Sequence, residues 1–327
     1  MNERLISHLR EAIPVSRVGR GEDIRSRVEA RIQGLWEAVR GSLPGCSPPP
    51  FDPALVARHL GIEVAFARTP PGCDAMLLPL RGRGFQIVCS PRVRSEGRIR
   101  FSLAHELAHT LFDDCGSVLK MRTRHREASL QDEELERLCD QGAAELVMPR
   151  RWFSGEMATM GERAGSVPEL ARRFGVSLEA AAVRMVECGS EALAGVGFFE
   201  YGTRPSERGR RAEGRAAYRV RRVFTRTGTP FLFPRGKSVP EGSAIYRASL
   251  GAGECVGRER FGLGGESGAF RVSAAAVSRG EGPPTVCAVF TGVGGTPEPS
   301  NATRNAYRGR QGESVVTSAD QVLEQMA

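Results

Sequence analysis

Along the first part of the chain, apolar residues recur at helical spacing. Val28, Ile32, Leu35, Trp36 and Val39 fall on one side of a helix within residues 1–45, a basic segment that reads as helical. The run Pro44–Pro53 (PGCSPPPFDP) breaks that pattern and makes a short linker. A short helix from Pro53 to Leu60 follows, stopped by Gly61. The period then changes. Ile62–Ala67, Ala75–Leu80 and Phe85–Cys89 read as strands separated by turns at Pro70–Gly72 and Arg81–Gly84, which predicts a small antiparallel sheet. From Arg98 to Phe112 the helical period returns, with Phe101, Ala104, Ala108, Leu111 and Phe112 on its apolar side. A polar connection crosses Asp113–Gln131. A second helix runs from Asp132 to Val147 and stops at Met148–Pro149, with a further short helix over Arg151–Met160.

After Gly161–Pro168, the stretch PELARRFGVSLEAAAVRMVE reads as helix, tight turn at Gly175, and helix, with Ser177 placed to cap the second one. From Gly197 the texture becomes β-rich. Val196–Tyr201, Ala217–Phe224, Pro230–Phe233, Ala244–Ala248, Ala269–Ala276 and Thr285–Phe290 read as short strands between Gly, Pro and Arg clusters. The tail Gly292–Gly312 has the composition of a disordered segment, with a short helix near Ala319–Met326. The chain of 327 residues is therefore expected to form an α+β protein in three parts: residues 1–160, with a helical extension over 1–45, then 161–195 and 196–327.

Composition narrows the class. Eight cysteines are scattered without a CxxC pair, which argues against a disulfide framework and against a cysteine zinc site. No run approaches the roughly 18 apolar residues of a membrane span. The charged N-terminus lacks the apolar core of a secretory signal, so a soluble, cytoplasmic protein with no membrane partner is expected. The net charge of +8 comes almost wholly from arginine, Lys120 and Lys237 being the only lysines. It permits weak attraction to phosphate or to an acidic partner.

The chemistry lies in FSLAHELAHTLFDD, Phe101–Asp114. On a helix, His105 and His109 share one face and can aim imidazole nitrogens at one cation, at about 2.0–2.1 Å for zinc. Glu106 stands beside that face, where a carboxylate can act as general base on water. The alternative is a pair of structural histidines, but histidine is scarce in this chain and an apolar helix makes unpaired polar groups costly. A catalytic site needs a third ligand. Asp113, Asp114, His125, Glu133, Glu134, Glu136, Asp140 and Glu145 are available. The second helix is the better source, and Glu136, at the margin of its apolar side, is favoured without closing the others.

The stretch FSLAHELAHTLF followed by ELERLCDQGAAELVMP resembles the ImmA/IrrE family of metallopeptidases. That family's second motif has a glutamate, a small residue three on, Asn or Asp four on, a run of small residues and a Leu-Met-Pro-like end. Glu136, Cys139, Asp140, Ala143, Ala144 and Val147–Met148–Pro149 occupy those places. The resemblance implies a zincin-like domain in which His105, His109 and Glu136 hold the metal, Glu106 is the catalytic base, and Asp140 orients a ligand histidine. Zinc and manganese both suit such a site. Gly142 departs from the larger apolar residue of many members and is expected to loosen packing there. The order of peptidase, helix-turn-helix and β-rich domain is similar to that of the IrrE-type radiation-response regulators, whose last domain is GAF-like and would take a small-molecule or other signal.

The resemblance thus implies a metal-dependent endopeptidase that cleaves a helix-turn-helix transcriptional repressor to switch on stress and DNA-damage genes. The competing reading is a non-proteolytic regulator that binds DNA or a repressor and uses a structural metal. In the Leu170–Val186 hairpin, Arg172, Arg173 and Arg184 are candidates for substrate or phosphate docking. The second helix carries Ala180, Ala181, Ala182, Val183 and Met185 where a base reader carries Arg, Asn or Gln, so packing on protein is expected over sequence-specific DNA binding.

Overall fold

Both periodicities of the first part are realised in the computed structural model, which describes residues 2–17, 24–42, 49–80, 84–113, 130–203, 216–226, 234–263, 266–277, 282–292 and 317–318. They fall into two units. One takes the described residues of Met1–Trp152 with Arg173–Val176; the other takes those of Phe153–Arg172 and Ser177–Val322.

In the first unit, helices α1 (Glu3–Arg10), α2 (Ile24–Ser42) and α3 (Pro53–Leu60) precede strands β1 (Glu63–Phe66), β2 (Ala75–Leu80) and β3 (Gly84–Cys89). α3 is bounded by its own sequence. The Asp52 carboxylate accepts from Ala54 N at 3.0 Å, Pro53 opens the first turn, and Gly61 ends the helix at φ 70°. The sheet order is β1-β3-β2. It is mixed rather than antiparallel: β3 pairs with β2 antiparallel and with β1 parallel. Segment 67–74 carries the chain past the position β3 later fills, so β2 forms the hairpin and β1 lies on the far side.

Helix α4 (Glu96–His109) packs on this sheet, on α3 and on α5 (Leu130–Val147). Its second half is buried all round: Phe101 to His109 are all buried, polar residues included. α5 lies between α4 and α2. Trp36 of α2 donates from Nε1 to Leu146 O at 3.1 Å, and Val28, Ile32, Trp36 and Val39 bury α2's inward side. Gly142 does the opposite of what its small size suggested. A Cβ there would stand 2.9 Å from Ala108 Cβ, with Ile32 and Val28 methyls at 3.6 Å. The glycine tightens the α4–α5 crossing.

The second unit contains most of α6 (Arg150–Met160) and α7 (Ser166–Phe174), then α8 (Leu178–Cys188), and strands β4 (Leu193–Gly202), β5 (Ala217–Thr225), β6 (Cys255–Leu263), β7 (Glu266–Ala276), β8 (Val286–Gly292) and β9 (Thr317–Ser318). Gly175 makes the turn between α7 and α8 at φ 64°, and Ser177 caps α8 by accepting from Ala180 N at 3.1 Å. The sheet runs β6-β7-β8-β4-β5-β9. Helix α9 (Ala244–Ser249) packs on β6, β7 and β8, sharing a core with Phe199, Val272 and Phe290.

Two expectations for this unit change. Ala244–Ala248 is the helix α9 and not a strand, because the Ser243 hydroxyl accepts from Tyr246 N at 3.1 Å and nucleates a turn. Strand β6 was not expected, because its outward positions carry arginine while Gly257 and Glu259 interrupt its inward side, so neither face reads as apolar. The expected strand Pro230–Phe233, the expected tail after Gly292 as far as Gly312, and the helix Ala319–Met326 lie outside the described residues.

His8 ties α1 to the end of α4. Its Nε2–H donates to Thr110 Oγ1 at 3.0 Å, while Thr110 passes its own proton to Leu107 O at 2.6 Å, and Nδ1 accepts from Arg31 Nη2 at 3.0 Å. Burial first, then the Arg31 charge, lower the His8 pKa from 6.5 to about 4. The folded pKa is depressed, so the stabilisation is complete above 6.5 and is lost as pH falls toward 4. Urea denaturation at pH 7 and pH 4.5 should show His8 costing about 2–3 kcal/mol across that interval. The expected signature is that His8→Gln loses less stability on acidification than the unaltered protein. Equal losses in both proteins would contradict it.

Candidate metal centre

The site is assembled where α4 and α5 cross. His105 and His109, one turn apart on α4, bring their Nε2 atoms to 3.2 Å from each other. From α5, Glu136 Oε2 lies 3.2 Å from His105 Nε2, and Oε1 lies 3.8 Å from His109 Nε2. Donor atoms of the three residues all fall within 4.8 Å of one another. Ligand atoms about 2.0–2.1 Å from a tetrahedral cation stand roughly 3.3 Å apart, so the spacing suits one ion. The histidines are buried and Glu136 is partly open, its side chain 41% exposed, which leaves an approach from solvent on the glutamate side.

Hydrogen bonds outside the donor triangle set the ring orientations. His105 Nδ1 lies 2.7 Å from Asp140 Oδ1, one helical turn beyond Glu136, and Asp140 is buried. Donation of Nδ1–H to that carboxylate leaves the Nε2 lone pair facing Glu136 and His109. A lone pair aimed at a carboxylate calls for a positive charge between them. Burial disfavours the His105 imidazolium, yet hydrogen bonds to Asp140 and Glu136, with the Glu106 and Asp140 charges, outweigh it and raise its pKa to about 9. A divalent cation meets the same electrostatic demand, displacing that proton.

Glu106 points to the sheet side of α4. It is buried, and Oε2 accepts from Leu77 N of β2 at 2.8 Å. Burial, then the Glu106 charge, push the neighbouring Cys89 thiol up to about 11, so Cys89 stays neutral beside it. Two contacts went unread in the sequence. Cys139 brings Sγ to 3.3 Å from His109 Nδ1, a cysteine seen only as a small residue in the motif. The Leu77 contact is made by backbone, which leaves no side-chain signal at all.

The other candidates lie elsewhere. Asp113 accepts from Val15 N at 2.9 Å, and Glu145 accepts from Arg150 N at 2.7 Å at the end of α5. Glu134 pairs with Arg137. Asp114 and His125 fall outside the described residues. Of the proposed docking arginines, Arg172 is exposed and bonded to Glu169, and Arg173 is exposed. Arg184 is a correction. It is 2% exposed and its Nη1 lies 2.9 Å from Glu187 Oε2, because α8 turns that side inward, so it presents no charge for docking. The apolar side of α8 is likewise spent: Ala181 and Met185 are fully buried, and α8 packs on β4 and β5.

Residues 57–186 match the family model Peptidase_M78, described as the IrrE N-terminal-like domain. The chain is 34% identical over 101 residues to the radiation response metalloprotease IrrE of Deinococcus deserti, an alignment covering 31% of this chain and 36% of that protein. The match therefore spans about a third of that relative's length. A Mycobacterium tuberculosis transcriptional regulator superposes with a TM-score of 0.42 at 14% identity, over 90% of this chain and 98% of that one.

Two outcomes follow for this centre. Asp140→Ala is expected to lower metal affinity by about 10–100-fold, since the His105 ring loses its anchor, while Glu134→Ala leaves it unchanged; competition titration against a chromogenic chelator reads both. At the helix crossing, Gly142→Val should force α4 and α5 apart at Ala108, cost about 1–3 kcal/mol in denaturant and weaken metal retention in parallel. Unaltered stability in that variant would show that the crossing is not tight.

Proposed function

We propose that the chain, whose residues 57–186 match the IrrE N-terminal-like domain, is a member of the ImmA/IrrE family of metallopeptidases and a zinc-type endopeptidase that cleaves a helix-turn-helix transcriptional repressor. The observation carrying the reading is the convergence of His105, His109 and Glu136, with the buried Glu106 close enough for its charge to act on His105. His105, His109 and Glu136 would hold zinc, with manganese the alternative for this donor set. When bound, the ion polarises the scissile carbonyl and lowers the pKa of water.

The chain's own groups do the remaining work. Leu77 N fixes Oε2 of Glu106, and the carboxylate takes a proton from the attacking water and returns it to the leaving amine. Asp140 keeps the His105 lone pair on the donor side. The partly open flank at Glu136 admits an extended polypeptide. A purely structural metal would have no use for a buried, oriented base at this place, which favours hydrolysis over the non-proteolytic reading. The hairpin of residues 161–195 serves as a brace, and residues 196–327 serve as a GAF-like signal-input domain, a reading supported by the order of elements and by helix α9 lying on one sheet face. No helix among the described residues is long and apolar enough to cross a membrane.

Incubating the full chain with a candidate repressor, with and without chelator, tests the activity. Glu106→Gln should lower cleavage by about 10²–10⁴-fold while retaining metal, as measured by elemental analysis of the purified variant. Loss of the metal in Glu106→Gln, or cleavage that survives both the substitution and the chelator, would defeat the assignment.

A further inference from the structure

Strand β6 turns Arg258 and Arg260 to one face, with Val256 beside them; all three are exposed. The opposite face, with Cys255, joins the core under α9. β6 is the edge of its sheet, and charged side chains on an edge are an ordinary guard against pairing with another chain. That accounts for Arg258 and Arg260. It does not account for Arg271, which is exposed on the inner strand β7 and stands directly opposite Arg258. Directly opposed residues have Cβ atoms about 4.5–5.5 Å apart, and like charges so placed destabilise the pair.

Elsewhere in the sheet, arginines are matched: Arg221 and Arg222 both meet Glu179. Among the described residues, Arg258, Arg260 and Arg271 have no ion pair or side-chain hydrogen bond, and nearby Glu254 is engaged by Arg163 and Ser273. An anion lying over the cross-strand pair would offset its cost.

We propose that this face binds the sugar–phosphate backbone of a nucleic acid without sequence preference. Arg258 and Arg260 repeat at about 6.6 Å along the strand, and guanidinium forks suit phosphate oxygens. An acidic protein partner would call for an apolar or aromatic anchor at the centre of the patch, and among the described exposed side chains of β6 and β7 Val256 alone is a large apolar one. None of those described side chains is aromatic and able to stack a base, so contact is with backbone alone. Arg258, Arg260 and Arg271 all lie in the second unit, and none belongs to the candidate metal centre.

The test uses the full chain and a labelled 20-base-pair duplex of random sequence, with anisotropy followed from 50 to 200 mM NaCl. Combined Arg258→Ser, Arg260→Ser and Arg271→Ser should weaken binding at least about tenfold and reduce the log–log salt slope by about 2–3. Arg271→Ser alone should reduce it by about one. A control of equal charge loss, Arg68→Ser, Arg92→Ser and Arg94→Ser, should keep the native slope; these arginines are exposed in the first unit. The proposal is overturned by unchanged binding in the triple variant, by an equal loss in the control, or by tighter binding of polyglutamate than of duplex.

Discussion

Everything at the candidate centre depends on how closely α4 and α5 approach. His105 and His109 come from one helix and Glu136 and Asp140 from the other, so a shift of an ångström between the axes would separate donors that now lie 3.2 Å apart. The contact of Gly142 with Ala108, the residue next to His109, limits that distance. Around it, α2 buttresses α5 through Val28, Ile32 and Trp36, and the β2–β3 hairpin supports α4 from the other side. Packing of small and branched apolar side chains is what makes the polar geometry possible, because close-packed interiors transmit small displacements instead of absorbing them.

The polar groups themselves cost stability. Five ionisable residues, His105, Glu106, His109, Glu136 and Asp140, lie within one helix crossing, four of them buried. Three carboxylates and two imidazoles form an acceptor-rich cluster that calls for positive charge, and the elevated pKa of His105 expresses that demand. Such an arrangement is retained where a cation or a reaction exploits it. His105, His109 and Glu106 each have a partner outside the donor set: Asp140 for His105, Cys139 for His109 and the Leu77 amide for Glu106. Preorganisation of this kind limits the reorganisation a reaction has to bear.

The second unit distributes charge differently. The α8 helix gives its apolar side to β4 and β5, and Arg184 is enclosed with Glu187. Arg258 and Arg260 on the edge strand β6 and Arg271 on its neighbour β7 are left exposed. Helix α8 thus packs within its own unit, and β6, which barely registers in sequence, carries Arg258 and Arg260 exposed.

The sequence by itself determined the elements that the site needs. The HELAH spacing puts two imidazoles on one helical face, the Glu136–Asp140 interval sets two carboxylates one turn apart, and Ser177 and Gly175 mark the α7–α8 turn. These signals are local, because periodicity and capping act within a few residues. Tertiary structure alone decided the rest. It chose Glu136 over Glu133 and Glu134 by the rotation of α5 about its axis, put a backbone amide on Glu106, made Gly142 a point of close approach, buried Arg184, and ran β1 parallel to β3. It also turned Ala244–Ser249 into a helix and set Arg258 opposite Arg271. Each of these depends on which residues distant in sequence meet, and a one-dimensional pattern carries the period of an element but not the identity of its neighbour.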